Sequence, residues 1–425
     1  MTEPDLLTIP SQPMDVTTGG AADGKARTGM ALCLSGGGYR AALFHLGVLR
    51  CLHDMGILQT VDTISSVSGG SILSAYLAKR LFELNITSGI SFADWEAHMS
   101  SGFRAFVRND IRTTPFLTHL LWNWLMPKWR ARHLQRNYAK YLLKITENGS
   151  PRQMTLADVA SRPEFIFCST DVSFGINWEF KRDKVGDYHV GYSKKPEWPL
   201  ALAVAASSSF PPVFGPMRIG LNPADFKGGA YRGKDRDDCV RRLKLSDGGV
   251  YDNFGLEPVD NLAATILVSD GGSPFGYQGA ANPLQRVMRY LSVMMNQVAS
   301  LRTRMFFTGV TKKWHTGVLI RIGRERTTKA AAAATQFDGY VDKEVRSMIA
   351  GIRTDLDRFT DAEARILENH GYFETFRRIN ANLPGLISNP GFNGITPHPD
   401  WVDESKVRKA LEQSSKRLVL SRLLG

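Results

Sequence analysis

Short apolar runs alternate with helical patterns through the first part of this chain. Residues 30–34, Met-Ala-Leu-Cys-Leu, form an unbroken apolar run of the kind that is buried on both faces of a sheet. Residues 41–55 follow with Leu43, Leu46, Leu49 and Leu52 on one helical stripe. Residues 63–67 predict a second strand and 71–84 a second helix. Strand, helix, strand, helix at this spacing predicts a parallel sheet in an α/β fold. Further strands are expected at 164–170 and 178–181, and apolar runs at 243–245 and 264–268 each lead into Ser-Asp-Gly-Gly. Residues 283–307 read as a long helix with Val287, Leu291, Met294, Val298 and Leu301 turned inward. An alanine run at 330–334 predicts a helix start, and 402–424 a last amphipathic helix whose Val407, Leu411, Leu418 and Leu420 dock on the core. No fixed-period repeat is present. Residues 1–28, rich in Gly, Thr, Ala and Pro, read as a disordered arm, 29–380 as the main domain and 381–425 as a C-terminal extension.

Composition narrows the class. The chain has 425 residues, 43% hydrophobic and 22% charged, close to ordinary globular usage. Its net charge of +12 invites an anionic partner. No apolar stretch reaches a spanning length; the best, 116–126, is broken by His119 and Asn123. The first residues lack a basic stretch followed by an apolar one, so the expectation is no secretory leader and a cytoplasmic protein, peripheral to a membrane, with a signal-less export route left open. The four cysteines show no metal-type or framework spacing; Cys33, Cys51 and Cys168 are expected as buried thiols, and no metal or cofactor is expected.

Two segments carry chemistry. Leu34-Ser35-Gly36-Gly37-Gly38-Tyr39-Arg40 is a glycine-rich loop between a strand and a helix, able to turn several N–H groups toward one developing oxyanion. Ser66-Val67-Ser68-Gly69-Gly70 follows one strand–helix unit later and approximates the G-x-S-x-G elbow that exposes a nucleophilic serine, with Ser66 in place of the first glycine. Gly36 to Ala41 also fits a dinucleotide fingerprint, but the second strand ends in serines and glycines without the acidic residue that would hold a ribose. Arg40 is expected to add positive charge for a substrate anion. For the base, His315, His370 and His398 are C-terminal candidates, and Asp247 and Asp270 each follow an apolar run in a glycine turn.

The combination resembles the patatin-like phospholipases, whose pattern is a G-G-G-x-[KR] loop, a serine elbow one βα unit later and a distant D-G-[GA] aspartate. Here these are Gly36-Gly37-Gly38-Tyr39-Arg40, Ser66 to Gly70, and Asp247-Gly248-Gly249. The stretches Phe167 to Val172 and Ala205 to Phe214 are similar to the family's as well. The resemblance implies a three-layer α/β/α fold with a mainly parallel central sheet and a helical insertion. It implies a Ser–Asp dyad of Ser68 and Asp247, preferred over Asp270 because Asn253 follows, without histidine or metal. The oxyanion hole would comprise Gly36, Gly37, Gly38 and Gly69. The expected activity is hydrolysis of acyl esters of phospholipids or other membrane lipids. The alternative is a catalytically silent lipid-binding or regulatory module on the same fold.

Residues 101–143 are expected to form a helical insertion, of which 101–140 carry eight basic residues (Arg104, Arg108, Arg112, Lys128, Arg130, Arg132, Arg136, Lys140) against one acid, Asp110. With Trp122, Trp124 and Trp129 among them, they read as a membrane-facing segment or, equally, as a solvated helical subdomain. No recognisable nucleic-acid module accompanies the charge, so no nucleic acid is expected.

Overall fold

The computed structural model of the chain describes residues 26–111, 128–195, 197–211, 214–276, 283–323 and 339–415. Residues 1–25 of the expected arm, the apolar part of the insertion at 112–127, the alanine run and the last residues of the C-terminal helix lie outside these.

Five parallel strands form the centre of the sheet: β1 (Met30–Leu34), β2 (Thr63–Val67), β3 (Glu164–Asp171), β5 (Thr265–Asp270) and β6 (Thr316–Arg321), in the order β3-β2-β1-β5-β6. Strand β4 (Lys244–Asp247) lies antiparallel to β3. Beyond β3 the sheet continues as an antiparallel wing of short strands, Ile176–Phe180, Val185–Asp187, Gly191–Ser193 and Lys227–Gly228. The helix after each early strand carries the chain back for the next parallel one, whereas β4 and the wing arise from pairings that no local period announces.

Seven helices matter below: α1 (Gly38–Asp54), α2 (Gly69–Glu83), α3 (Lys128–Tyr141), α4 (Leu200–Ser207), α5 (Pro283–Thr311), α6 (Asp361–Asn382) and α7 (Glu404–Ser415). Side chains alternate across β1. Met30, Leu32 and Leu34 enter a large core with α1, α2 and α6, while Ala31 and Cys33 enter a smaller one with Phe254, Leu256, Val259 and Phe306. This two-sided covering makes the three layers. Helix α1 is buried nearly all round because the sheet lies on one side and α6 on the other. Gly47 of α1 and Gly371 of α6 let the two backbones touch, since a Cβ on either would collide with the facing carbonyl, of Glu368 and Phe44 respectively.

Candidate active site

The two turns after β1 and β2 are built against each other. Ser68 has φ 50° and ψ −114°, a conformation that costs a non-glycine residue about 1–3 kcal/mol and persists only where the surroundings impose it. Its N–H donates to Ser207 Oγ at 2.9 Å, and Ser207 in turn donates to the Cys168 carbonyl at 2.6 Å. Gly69 packs on the backbone of Gly38, where any side chain would collide with the Gly38 carbonyl. Gly37 and Gly38 have φ 137° and 57°, open to glycine and strained for other residues. Among the described residues, the N–H groups of Gly37, Gly38 and Gly69 have no hydrogen-bond partner. Ser66, which replaces the elbow's first glycine, is buried and donates its hydroxyl to the Ile166 carbonyl, so the substitution is accommodated.

Asp247 reaches this place through sheet pairing. Strand β3 pairs with β2 as far as Val67 opposite Cys168, then continues past its end to pair with β4, with Asp247 opposite Ser169. Ser68 and Asp247 therefore meet at the same level of the sheet. The Asp247 N–H donates to the Ser209 carbonyl at 3.1 Å and its carbonyl accepts from Thr170 Oγ1 at 2.7 Å, so the end of α4 braces both residues. Asp247 Oδ1 accepts from the Gly249 N–H at 2.7 Å, while Oδ2 is buried without a partner. Burial pushes the carboxyl up to about 7, against the opposing pull of the Gly249 N–H and the Ser68 hydroxyl. The hydroxyl is near enough to favour the carboxylate but completes no hydrogen bond to it, as is common before substrate tightens a site.

Asp270 lines the same cavity in a different state. Its Oδ2 forms a 2.7 Å ion pair with Arg321 Nε, and its Oδ1 accepts from the Gly272 N–H. The repeated Ser-Asp-Gly-Gly thus ends an antiparallel strand at Asp247 and a parallel one at Asp270, and only the former leaves an oxygen unengaged. The cavity, about 980 Å³, is walled by Phe210, Phe214, Phe254 and Leu356 and, along α5, by Asn296, Ala299 and Thr303.

The family model for patatin-like phospholipases matches residues 32–260, more than half of the chain. The chain belongs to the patatin-like phospholipase family. The matched segment of this patatin-like chain holds the glycine loop, Ser68 and Asp247, and excludes Asp270 and α5. Among solved structures, human GIVD cytosolic phospholipase A2 is similar at 13% identity and TM-score 0.44, covering 92% of this chain and 60% of its own. VipD from Legionella pneumophila is similar at 13% identity and TM-score 0.33, covering 84% of this chain and 68% of its own. The chain thus spans about three fifths of the human structure's length. No curated sequence matches it.

Two expected site residues are corrected. Arg40 does not reach the cavity of this patatin-like domain; it is 1% exposed and makes five hydrogen bonds, to the carbonyls of Gly271 (two), Ala350 and Ile352 and to Ser273 Oγ. Burial lowers its pKa to about 10, with Asp270 opposing, and it clamps backbone carbonyls rather than a substrate anion. The Gly36 N–H is engaged by the Asn253 carbonyl at 3.1 Å, which removes it from any oxyanion hole and ties the loop to the aspartate turn.

None of His315, His370 and His398 lines the cavity; they bond the Thr316 carbonyl, the Ile322 carbonyl and Glu368 respectively. His45, which carried no signal in the sequence, holds the loop from beneath. Its Nε2–H donates to the Ser35 carbonyl at 2.9 Å, so Nδ1 accepts from the Ser269 hydroxyl at 2.6 Å. Burial lowers its pKa to about 4, which keeps it neutral. Ser207 was legible only as part of a family-like stretch; its bond to the nucleophile's N–H depends on the packing of α4.

Proposed function

We propose that this protein is a serine lipid acyl hydrolase of the phospholipase A or lysophospholipase type. The observation that carries the reading is the buried, unpartnered Asp247 Oδ2 beside the strained Ser68, with three unengaged glycine N–H groups adjoining. Ser68 Oγ attacks the ester carbonyl carbon as its proton passes to Asp247 Oδ2. The N–H groups of Gly37, Gly38 and Gly69 hold the tetrahedral oxyanion. Collapse expels the alcohol, which takes the proton from Asp247, and leaves acyl-Ser68. Water then attacks the acyl carbon, giving its proton to Asp247, and release of the fatty acid returns that proton to Ser68.

The substrate is a phospholipid or other lipid ester drawn from a membrane surface. The insertion contributes to that contact through α3, which buries Leu134 and Tyr138 and exposes Arg132, Arg136 and Lys140. Arg104 and Arg108 take no part, since Arg104 is buried against Glu368 and Arg108 pairs with Asp361.

Hydrolysis of a short-chain ester and labelling by a fluorophosphonate probe test the dyad. Ser68→Ala abolishes labelling and lowers turnover by about 10⁴-fold or more. Asp247→Asn lowers turnover by several orders of magnitude, whereas Asp270→Asn costs less than about tenfold. Equal labelling of wild type and Ser68→Ala refutes the nucleophile, and an inactive Asp270→Asn beside an active Asp247→Asn reverses the two aspartates.

A further inference from the structure

Helix α5 carries an outward apolar stripe in addition to the apolar side chains, Ala299, Phe306 and Val310, that it packs against the smaller core. Four of the five positions expected inward lie outward, Val287 55%, Leu291 38%, Met294 56% and Leu301 52% exposed, with Val298 half-buried among them and Tyr290 at 67% and Val293 at 38% beside them. Across the helix, Asn296, Ser300 and Thr303 line the cavity that holds Ser68. Met294 and Asn296, two residues apart, stand more than half a turn from each other, as do Leu301 and Thr303. A helix in a water-soluble surface ordinarily shows the opposite arrangement, and a contiguous exposed apolar patch marks an interaction surface.

The charge on α5 identifies the partner. The helix contains Arg286, Arg289, Arg302 and Arg304 and no aspartate or glutamate. Arg302 is engaged inward by Glu257 and Asp252, Arg289 stacks on Phe275 at 4.0 Å and with the exposed Arg304 stands at the rim of the Ser68 cavity, and Arg286 is exposed, with Lys312 and Lys313 just past the end. An apolar face bordered by arginines and free of carboxylates suits an anionic bilayer surface, where the side chains enter the acyl boundary and the guanidinium groups meet phosphates. No helix among the described residues is long and apolar enough to cross a membrane, so α5 would lie in the interface rather than span it.

We infer that the outer face of α5 docks on an anionic lipid leaflet, which places the Ser68 cavity about one helix diameter, roughly 10 Å, from the lipid. The inference deepens the hydrolase reading by naming the surface through which substrate arrives; α5 lies outside the segment that matches the family.

The test uses the full chain carrying Ser68→Ala, so that vesicles stay intact, and co-sedimentation with phosphatidylcholine vesicles with and without phosphatidylglycerol. The parent protein should bind the anionic vesicles more tightly, and increasingly so at low salt. Adding Val287→Ser, Leu291→Ser and Met294→Ser should weaken that binding at least about tenfold, by loss of inserted apolar area. Thermal stability should be unchanged or raised. With Ser68 restored, the triple variant should hydrolyse a soluble short-chain ester near the wild-type rate. Unchanged vesicle binding overturns the proposal. A clear drop in melting temperature shows the stripe to be covered by the chain itself, and conversion of a dimer to a monomer shows a second copy there; either overturns it. Loss of binding only on changing Lys128, Arg130, Arg132 and Arg136 to glutamine assigns docking to the insertion and overturns it too. If the wild type fails to hydrolyse the soluble ester while α5-dependent binding persists, the hydrolase reading falls and the docking surface stands.

Discussion

Asp247 is held in a state that a carboxylate in water does not adopt, and that state fixes a pH signature. Its carboxyl is pushed up to about 7, so the proposed base is ionised only above that value. Hydrolysis of a soluble ester should therefore rise through pH 7 and level off above it, with kcat/KM giving the limb of the free enzyme. Stability runs the other way. Between about pH 4, where the unfolded carboxyl ionises, and pH 7, the unfolded state loses a proton that the folded state keeps, so this residue's contribution falls as pH rises. The stability difference between Asp247→Asn and wild type should shift in the variant's favour across that window and stay constant above it. Denaturant melts at several pH values check this; a difference independent of pH would remove the raised pKa. The aspartate turn was legible in the sequence, and the family resemblance already preferred Asp247 to Asp270; what the structure adds is the physical reason, Arg321, an ion-pair partner brought in from β6 that engages Asp270.

At the scale of elements, the end of α4 supports the whole reaction centre. Ser207 accepts the Ser68 N–H, Ser207 and Ser209 supply carbonyls to Gly248 and Asp247, and Ser71 Oγ lies 2.8 Å from Ser207 Oγ. Ser207→Ala leaves the buried Ser68 N–H and Cys168 carbonyl without that partner and should cost about 1–3 kcal/mol. Turnover should fall without loss of fluorophosphonate labelling, because the nucleophile remains and only its bracing is lost. The early helices were legible because local period and turn chemistry place them. For α5 the period gave the stripe correctly and its direction wrongly. Periodicity defines a face; what lies against that face decides whether it points in or out.

On the scale of the whole molecule, a buried ionic cluster ties the C-terminal segment to the rest. Glu368 of α6 is fully buried, 2.8 Å from Arg104, 3.3 Å from Arg50, 2.7 Å from His398 and 2.6 Å from Ser100 Oγ. Burial would raise its pKa, but the His398 hydrogen bond and the charges of His398, Arg104 and Arg50 outweigh it and hold the carboxyl near 2. Its stabilising contribution is complete above the ordinary carboxyl range and is lost as pH falls toward 2. Glu368→Gln strands buried cations and should cost about 3–5 kcal/mol, measured by denaturant melts near neutral pH, with a flatter acid limb than wild type. Val407 and Leu411 of α7 are buried in the main core, as their spacing predicted, so the described part of α7 packs with the domain that precedes it, and Leu418 and Leu420 lie outside the described residues.

By itself the sequence determined the β1–α1–β2–α2 unit, the glycine loop and the serine elbow. These depend on apolar period and on backbone conformations that few residues tolerate, and both act within a few positions of the chain. Only the tertiary structure decided that Arg40 clamps carbonyls instead of a substrate, that the Gly36 N–H belongs to Asn253, and that the stripe of α5 faces outward. Each outcome turns on which groups, tens to hundreds of residues distant, arrive within hydrogen-bonding or packing reach. The approach of Asp247 to Ser68 is the plainest case. Neither residue's neighbours in sequence specify it; β3 does, by outrunning β2 and offering the remainder of its edge to an antiparallel strand.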